Sequence, residues 1–176
     1  MRSGLVNSGE AVTGHLLCLR PGISSVDEYE QLFTDPAVGS WIRPEPMVPF
    51  TRADMERMAS RDRAHWDAHG FGPWAVRERE GGEFVGRGGL AWATVDGKRE
   101  VELPWAVIPS KQGRGFATEM GVAAIDAARE AGLERVVSLT LPSNLASRRV
   151  MEKIGLRYGG EIEHAGLPHV LYELEF

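Results

Sequence analysis

A chain of 176 residues, 43% hydrophobic and 26% charged, has the length and composition of one ordinary globular domain and should bury about 70% of the surface its unfolded form exposes. That excludes disordered and fibrous classes, and a formal net charge of −5 with no basic block argues against a nucleic-acid partner. No segment approaches the ~18 apolar residues of a membrane span and Met1 to Glu10 has no apolar run, so membrane and secretory readings fail. The lone Cys18 excludes an internal disulfide and fits a reducing, cytoplasmic setting as a buried, inert thiol.

Residues 1–12 read as a flexible leader ahead of a single domain over 13–176. His15 to Arg20 is a short apolar run ended by Pro21-Gly22, which predicts the first strand. Ser24 or Ser25 caps a helix through Phe33, with Val26, Tyr29, Leu32 and Phe33 on one face and Asp35-Pro36 closing it. Ala37 to Phe50 is too rich in proline for a regular element. Thr51-Arg52-Ala53-Asp54 has the form of a capping box, and Met55, Met58, Ala59, Asp62, Trp66 and His69 follow at near-helical spacing. His65 and His69 share a helix face, but no Glu follows the first and no third ligand is placed, so no metal site is expected.

Phe71 to Arg79 and Phe84 to Ala93 alternate around Glu80-Gly81-Gly82, which predicts a hairpin, and Asp96-Gly97 turns the chain into a third strand, Arg99 to Ile108. A helix over 114–131 turns Phe116, Met120, Ala123, Ala124, Ala127 and Ala131 toward the sheet, and Gly132 ends it. Val136 to Leu141 reads as a buried strand. A helix opened by Asn144 buries Val150, Met151 and Ile154, and a strand pair over 156–163 and 169–176 finishes the chain.

The chemistry concentrates at Lys111-Gln112-Gly113-Arg114-Gly115-Phe116-Ala117-Thr118-Glu119, between a strand and a long helix. Backbone N–H groups at a helix start have no intrahelical partner, and the helix dipole adds positive charge there, so a glycine-rich turn at that place suits a phosphate. The same glycines would also serve a plain strand-to-helix turn. The stretch is neither a G-x-G-x-x-G nor a Walker A loop. Gln112 to Ala117 matches Q/R-x-x-G-x-G/A, and Asn144-Leu145-Ala146-Ser147-Arg148-Arg149-Val150-Met151-Glu152-Lys153-Ile154-Gly155-Leu156 matches N-x-x-S-x-x-V-x-x-K-x-G-F/L. Together they resemble the GCN5-related N-acetyltransferase (GNAT) superfamily, and Leu17-Cys18-Leu19-Arg20-Pro21 resembles the opening of its RimJ/RimL-like branch.

The resemblance implies a mixed α+β fold, with a splayed, largely antiparallel sheet of six to seven strands flanked by about four helices. It also implies acetyl-coenzyme A as cofactor and an amine as acceptor, either a protein N-terminus or a small molecule. The negative net charge leans toward a cationic acceptor, and homodimers are common in that branch. The cofactor would lie on Gln112, Gly113, Arg114, Gly115, Phe116, Ala117 and Thr118. Its pantetheine arm would lie along Trp105, Ala106, Val107 and Ile108, with Asn144, Ser147 and Lys153 as further contacts.

Glu102 stands where the branch carries a proposed general base, and Ser147 where it carries a hydroxyl for the leaving thiolate; Asn144 joins them as a catalytic candidate. Met151 replaces the tyrosine that many members use as acid. Pro104 replaces a usual glycine and fits an interruption of strand pairing. Trp41, His65, Trp66 and Glu100 are acceptor-contact candidates, although the tryptophans serve equally as packing and His65 as a solvated residue. A coenzyme A-binding module without catalysis, or a purely structural domain, stays open beside the enzyme reading.

Overall fold

The computed structural model describes residues 4–5 and 10–176. The N-terminal half carries β1 (Gly4–Leu5), β2 (Ala11–Val12), β3 (Leu16–Leu19), α1 (Ser25–Phe33), α2 (Pro36–Gly39), α3 (Arg52–His69), β4 (Pro73–Glu78) and β5 (Phe84–Gly89). It continues through β6 (Ala91–Val95), β7 (Lys98–Glu102), β8 (Trp105–Val107), α4 (Phe116–Glu130), β9 (Arg135–Thr140), α5 (Leu145–Lys153), β10 (Arg157–His164) and β11 (Leu167–Glu175). The described strands form two sheets, ordered β1-β2-β3-β4-β5-β8 and β10-β11-β9-β7-β6.

These strands and helices exceed the expected six to seven and four for identifiable reasons. Two strand-like runs are each broken in the middle, and a one-turn helix sits in the proline-rich stretch, where Asp35 accepts the Ala37 N–H at 2.9 Å. Most of the leader expected over 1–12 lies outside the described residues. At its described end, Ala11 is fully buried and pairs with Cys18.

The broken runs shape the molecule. β5–β6 and β8–β7 form one hairpin around Asp96-Gly97, with Arg87 opposite Ala106 and Ala91 opposite Glu102, so the register carries through the break. Between those rungs pairing stops. Pro104 has no N–H to give, the Leu90 N–H turns to the Gly72 carbonyl, and the Leu103 N–H turns to the Val137 carbonyl at 2.8 Å. One ribbon therefore belongs to two sheets. β7 meets β9 in parallel at Glu102 and Val137 alone, and β8 then diverges as the edge strand of the first sheet. The interruption expected at Pro104 is this vertex.

Residues alternate along the ribbon between two apolar layers. Val101, Leu103 and Val107 face the core under α4 and α5, while Ala106 and Ile108 face the core under α1 and α3. β5 packs against β8 without side-chain spacing: a Cβ on Gly86 would lie 2.0 Å from the Ala106 carbonyl oxygen.

α3 begins with the expected capping box, in which the Thr51 hydroxyl and Asp54 carboxylate each cap a backbone N–H, and Met55, Ala59, Asp62 and Trp66 are buried along it. α4 starts at Phe116 rather than at residue 114, because Gly115 is left-handed with φ 85°. No described helix is long and apolar enough to cross a membrane.

Candidate active site

The wedge between β8 and β9 is the centre of the site. β9 pairs with β11 through Thr140, but β8 has left its other side after Val137, so Ser138 to Thr140 and Trp105 to Val107 diverge from the vertex. β9 leads directly to Asn144 at the head of α5, and β8 leads through a single 3₁₀ turn, Pro109–Lys111, to the glycine loop. The two motifs read from the sequence thus meet at the open ends of two diverging strands.

Gly113 and Gly115 both take left-handed φ, 75° and 85°, and a Cβ at either would meet nothing within 4 Å. Gly115 is the N-cap of α4, and no side chain caps the helix. Free N–H groups, the positive end of a fifteen-residue helix and open space beside two glycines fit a pyrophosphate. Phe116 is buried and can offer only its backbone, whereas Ala117 and Thr118 are half-buried in the first turn. Gln112 folds back and donates to the Val107 carbonyl at 3.0 Å, which ties the loop to β8.

The cations of the loop are already engaged. Arg114 donates to Glu78 at 2.8 Å and lies 4.7 Å over the Phe116 ring. Lys111 donates to the same Glu78 oxygen, also at 2.8 Å, and to Glu83, and these carboxylates hold its ammonium above its ordinary pKa. Glu78 in turn is held below the usual carboxylate range, chiefly by Lys111. Glu119, one turn into α4, accepts the Thr13 hydroxyl and the His15 N–H, which docks the β2–β3 turn on α4.

Asn144 caps α5 by accepting the Ser147 N–H at 3.1 Å, and both residues are half-buried at the open end of β9. Met151 is in the core, 1% exposed, so no side chain from that helix position reaches the wedge. Lys153 is exposed in the last turn of α5, where a cation complements the helix dipole.

Glu102 sits at the vertex, on the face turned toward α3. Its carboxylate has no hydrogen bond or ion pair among the described residues. Burial pushes its carboxyl above the ordinary value, opposed by Arg87, Arg61 and His169. Glu100, on the same strand face, is 3.8 Å from Arg135.

Two acceptor-contact candidates are committed elsewhere. Trp66 is 3% exposed and its indole N–H donates to the Pro73 carbonyl at 2.8 Å, so it belongs to the core. His65 Nδ1 lies 2.8 Å from the Phe71 carbonyl and Nε2 accepts the Trp92 N–H at 2.9 Å. That fixes a neutral tautomer and leaves neither nitrogen for a substrate or a metal. Trp41 is exposed in the loop after α2, beside Ile42, Met47 and Val48 in sequence, all of them exposed.

The sequence reading missed Arg87. It is buried on β5 and holds Asp62 of α3 through Nε at 2.7 Å and Nη2 at 2.8 Å, while the Tyr29 hydroxyl donates to Asp62 at 3.0 Å. Two signals mark it: an aspartate on the apolar face of α3, and one arginine in the run Val85-Gly86-Arg87-Gly88-Gly89.

The comparisons agree with this geometry. Residues 17–157 match the acetyltransferase (GNAT) domain family. The chain is 27% identical over 124 residues to YkkB, an uncharacterised protein of Bacillus subtilis, covering 67% of this chain and 72% of that one. A GNAT-family acetyltransferase from Bordetella pertussis has the same fold, with TM-score 0.78 and 24% identity over 93% of this chain and 98% of that one. So does YncA of Salmonella typhimurium, solved with its cofactor acetyl-CoA, with TM-score 0.63 and 21% identity over 85% of this chain and 90% of that one. The chain belongs to the GNAT acetyltransferase family, whose N-acetyltransferases use acetyl-CoA as donor.

Proposed function

We propose that the protein acetylates an amine that reaches Glu102 from the α3 side of the wedge, in the manner of the RimJ/RimL-like branch. The observation that carries this reading is the uncapped, glycine-opened start of α4 beside an edge strand that diverges from a vertex bearing a half-buried glutamate.

When bound, acetyl-CoA supplies the activated acetyl thioester. The backbone of Gln112 to Thr118 is where its pyrophosphate would be held, the outer edge of Trp105 to Ile108 its pantetheine arm, and Lys153 a further phosphate contact. Asn144 Nδ2 and the Ser147 hydroxyl, both at the open end of β9, orient the thioester and donate to the leaving sulfur. Glu102 takes the proton of the amine. Neutralising an α-amine of pKa ~8 at pH 7 costs about 1.4 kcal/mol and a lysine of pKa ~10.4 about 4.6, so a weak base suffices for the first. Burial makes Glu102 a stronger base than a solvated carboxylate, which widens the range it can serve. The reading includes a single domain, a cytoplasmic location, which a reduced, buried Cys18 fits, and a homodimer as in the resembled branch.

Calorimetric titration with acetyl-CoA tests the cofactor half. The acceptor half is tested by thiol release with peptides bearing free α-amines, N-blocked lysine peptides, spermidine and an aminoglycoside. Glu102→Gln should lose about 10²- to 10⁴-fold in turnover. A protein that binds acetyl-CoA yet releases thiol no faster than hydrolysis with every amine is a binding module, the reading that the burial of Met151 favours.

A further inference from the structure

Arg87 is among the few buried charged side chains, and its geometry is fixed from three sides. Asp62 takes both its Nε and Nη2, the Tyr29 hydroxyl donates to the same Oδ2 that accepts Nε, and the Tyr29 ring lies 5.8 Å from the guanidinium. A bidentate buried pair contributes little net stability against an apolar replacement, so its retention needs another reason. The ribbon register supplies one. Arg87 lies opposite Ala106 and Glu102 opposite Ala91, on the same face of the same hairpin, either side of the unpaired rungs.

The charged groups turned toward Glu102 are few. Arg87 comes from β5, Arg61 and Asp62 from α3, and His169 from β11, while Glu100 of its own strand is drawn to Arg135 of β9. Arg61 has a 71% exposed side chain and is screened by water. His169 is tied through Nδ1 to the Leu167 carbonyl at 3.1 Å. Of these cations, only Arg87 is both permanently charged and held by buried partners.

We propose that Arg87 is a positioning residue for acetyl transfer: clamped by Asp62 and Tyr29 on the ribbon face that bears Glu102, it supplies a fixed positive charge that opposes the burial of this carboxylate. The inference rests on the reading of Glu102 as base. Burial raises the Glu102 carboxyl, and Arg87 is the first of the charges that oppose it. The guanidinium offsets that burial without bonding to the carboxylate, which stays open to the amine.

The test is the carboxyl titration of Glu102 followed by ¹³C NMR on the free protein, assigned by difference against Glu102→Gln. In Arg87→Gln/Asp62→Asn, which removes both charges and keeps amide hydrogen bonding, the midpoint should rise by about one pH unit, a tenfold change in proton affinity. Arg61→Gln should raise it less. Tyr29→Phe removes a hydrogen bond but no charge and should leave it in place, which a purely structural role would not predict. Where the double variant does not fold by circular dichroism, Asp62→Asn, which frees the guanidinium from its carboxylate, should lower the midpoint. An unmoved midpoint in the double variant, an unmoved or raised one in Asp62→Asn, or a larger shift from Arg61→Gln overturns the proposal. Wild-type turnover by Glu102→Gln overturns the base and any role for Arg87 with it. A disabled Glu102→Gln beside an unmoved titration overturns the role of Arg87 alone.

Discussion

Leu103 is joined to Val137 by one backbone hydrogen bond of 2.8 Å, and from that bond β8 and β9 part. The neighbouring Ser138, 3% exposed, donates its hydroxyl to the Leu103 carbonyl at 2.9 Å and so closes the vertex from the other side. Ser138→Ala should cost about 1–2 kcal/mol in urea unfolding, since a buried carbonyl loses a donor that water cannot replace. Acetyl-CoA affinity should fall with it. A variant as stable as wild type would show that the vertex does not depend on this bond.

Gly115→Glu places a carboxylate at the uncapped start of α4. Acetyl-CoA binding should drop by more than about 100-fold in calorimetry, with the fold kept. Gly115→Ala is the companion, because it bears only the strain of a left-handed alanine, about 1–2 kcal/mol of stability, and adds no charge. Equal affinity loss in both variants would assign the effect to backbone distortion instead of charge.

Glu78 occupies both cations of the loop, so it competes with any phosphate for Arg114 and Lys111. Glu78→Gln should tighten acetyl-CoA binding by roughly fivefold at low salt, and the gain should shrink as salt rises. Weaker binding at every ionic strength would mean that Glu78 chiefly positions the two side chains.

His65 gives the protein a pH-dependent joint. Burial holds its ring below the ordinary histidine pKa, because Nε2 must stay unprotonated to accept the Trp92 N–H. The folded state therefore binds fewer protons than the unfolded chain. Its contribution is complete above the unfolded pKa of ~6.5 and is lost as pH falls through that value toward the folded one. Denaturation curves of wild type and His65→Gln should converge on acidification from pH 7.5 to 5. Parallel curves would remove His65 as the cause.

The glycine turn and the Asn144 cap were readable in the sequence because they are local. Gly113, Gly115 and the Asn144 cap lie in short stretches whose geometry follows from neighbouring residues, and the capping box of Thr51 and Asp54 is of the same kind. The vertex was not, since Leu90 and Trp92 continue the alternation on one strand and Val101 and Leu103 on the other. Nothing in period-2 patterning records that a strand changes partners midway. Asp62 and Arg87 lie 25 residues apart and meet only through the docking of α3. Trp66 and His65 occupied plausible positions for an acceptor wall, but which face of α3 met the sheet was settled by tertiary packing.

A hairpin shared by two sheets without loss of register is also a lever. Whatever settles along Trp105 to Val107 bears on the same ribbon that ends in Glu102, across two absent rungs that leave a compliant joint between them. On the proposed reading, the strand that would hold the donor and the strand that carries the base are parts of one ribbon. On that reading, substitutions at Gly89 or Pro104 should alter the kinetic order of the two substrates before they alter affinity.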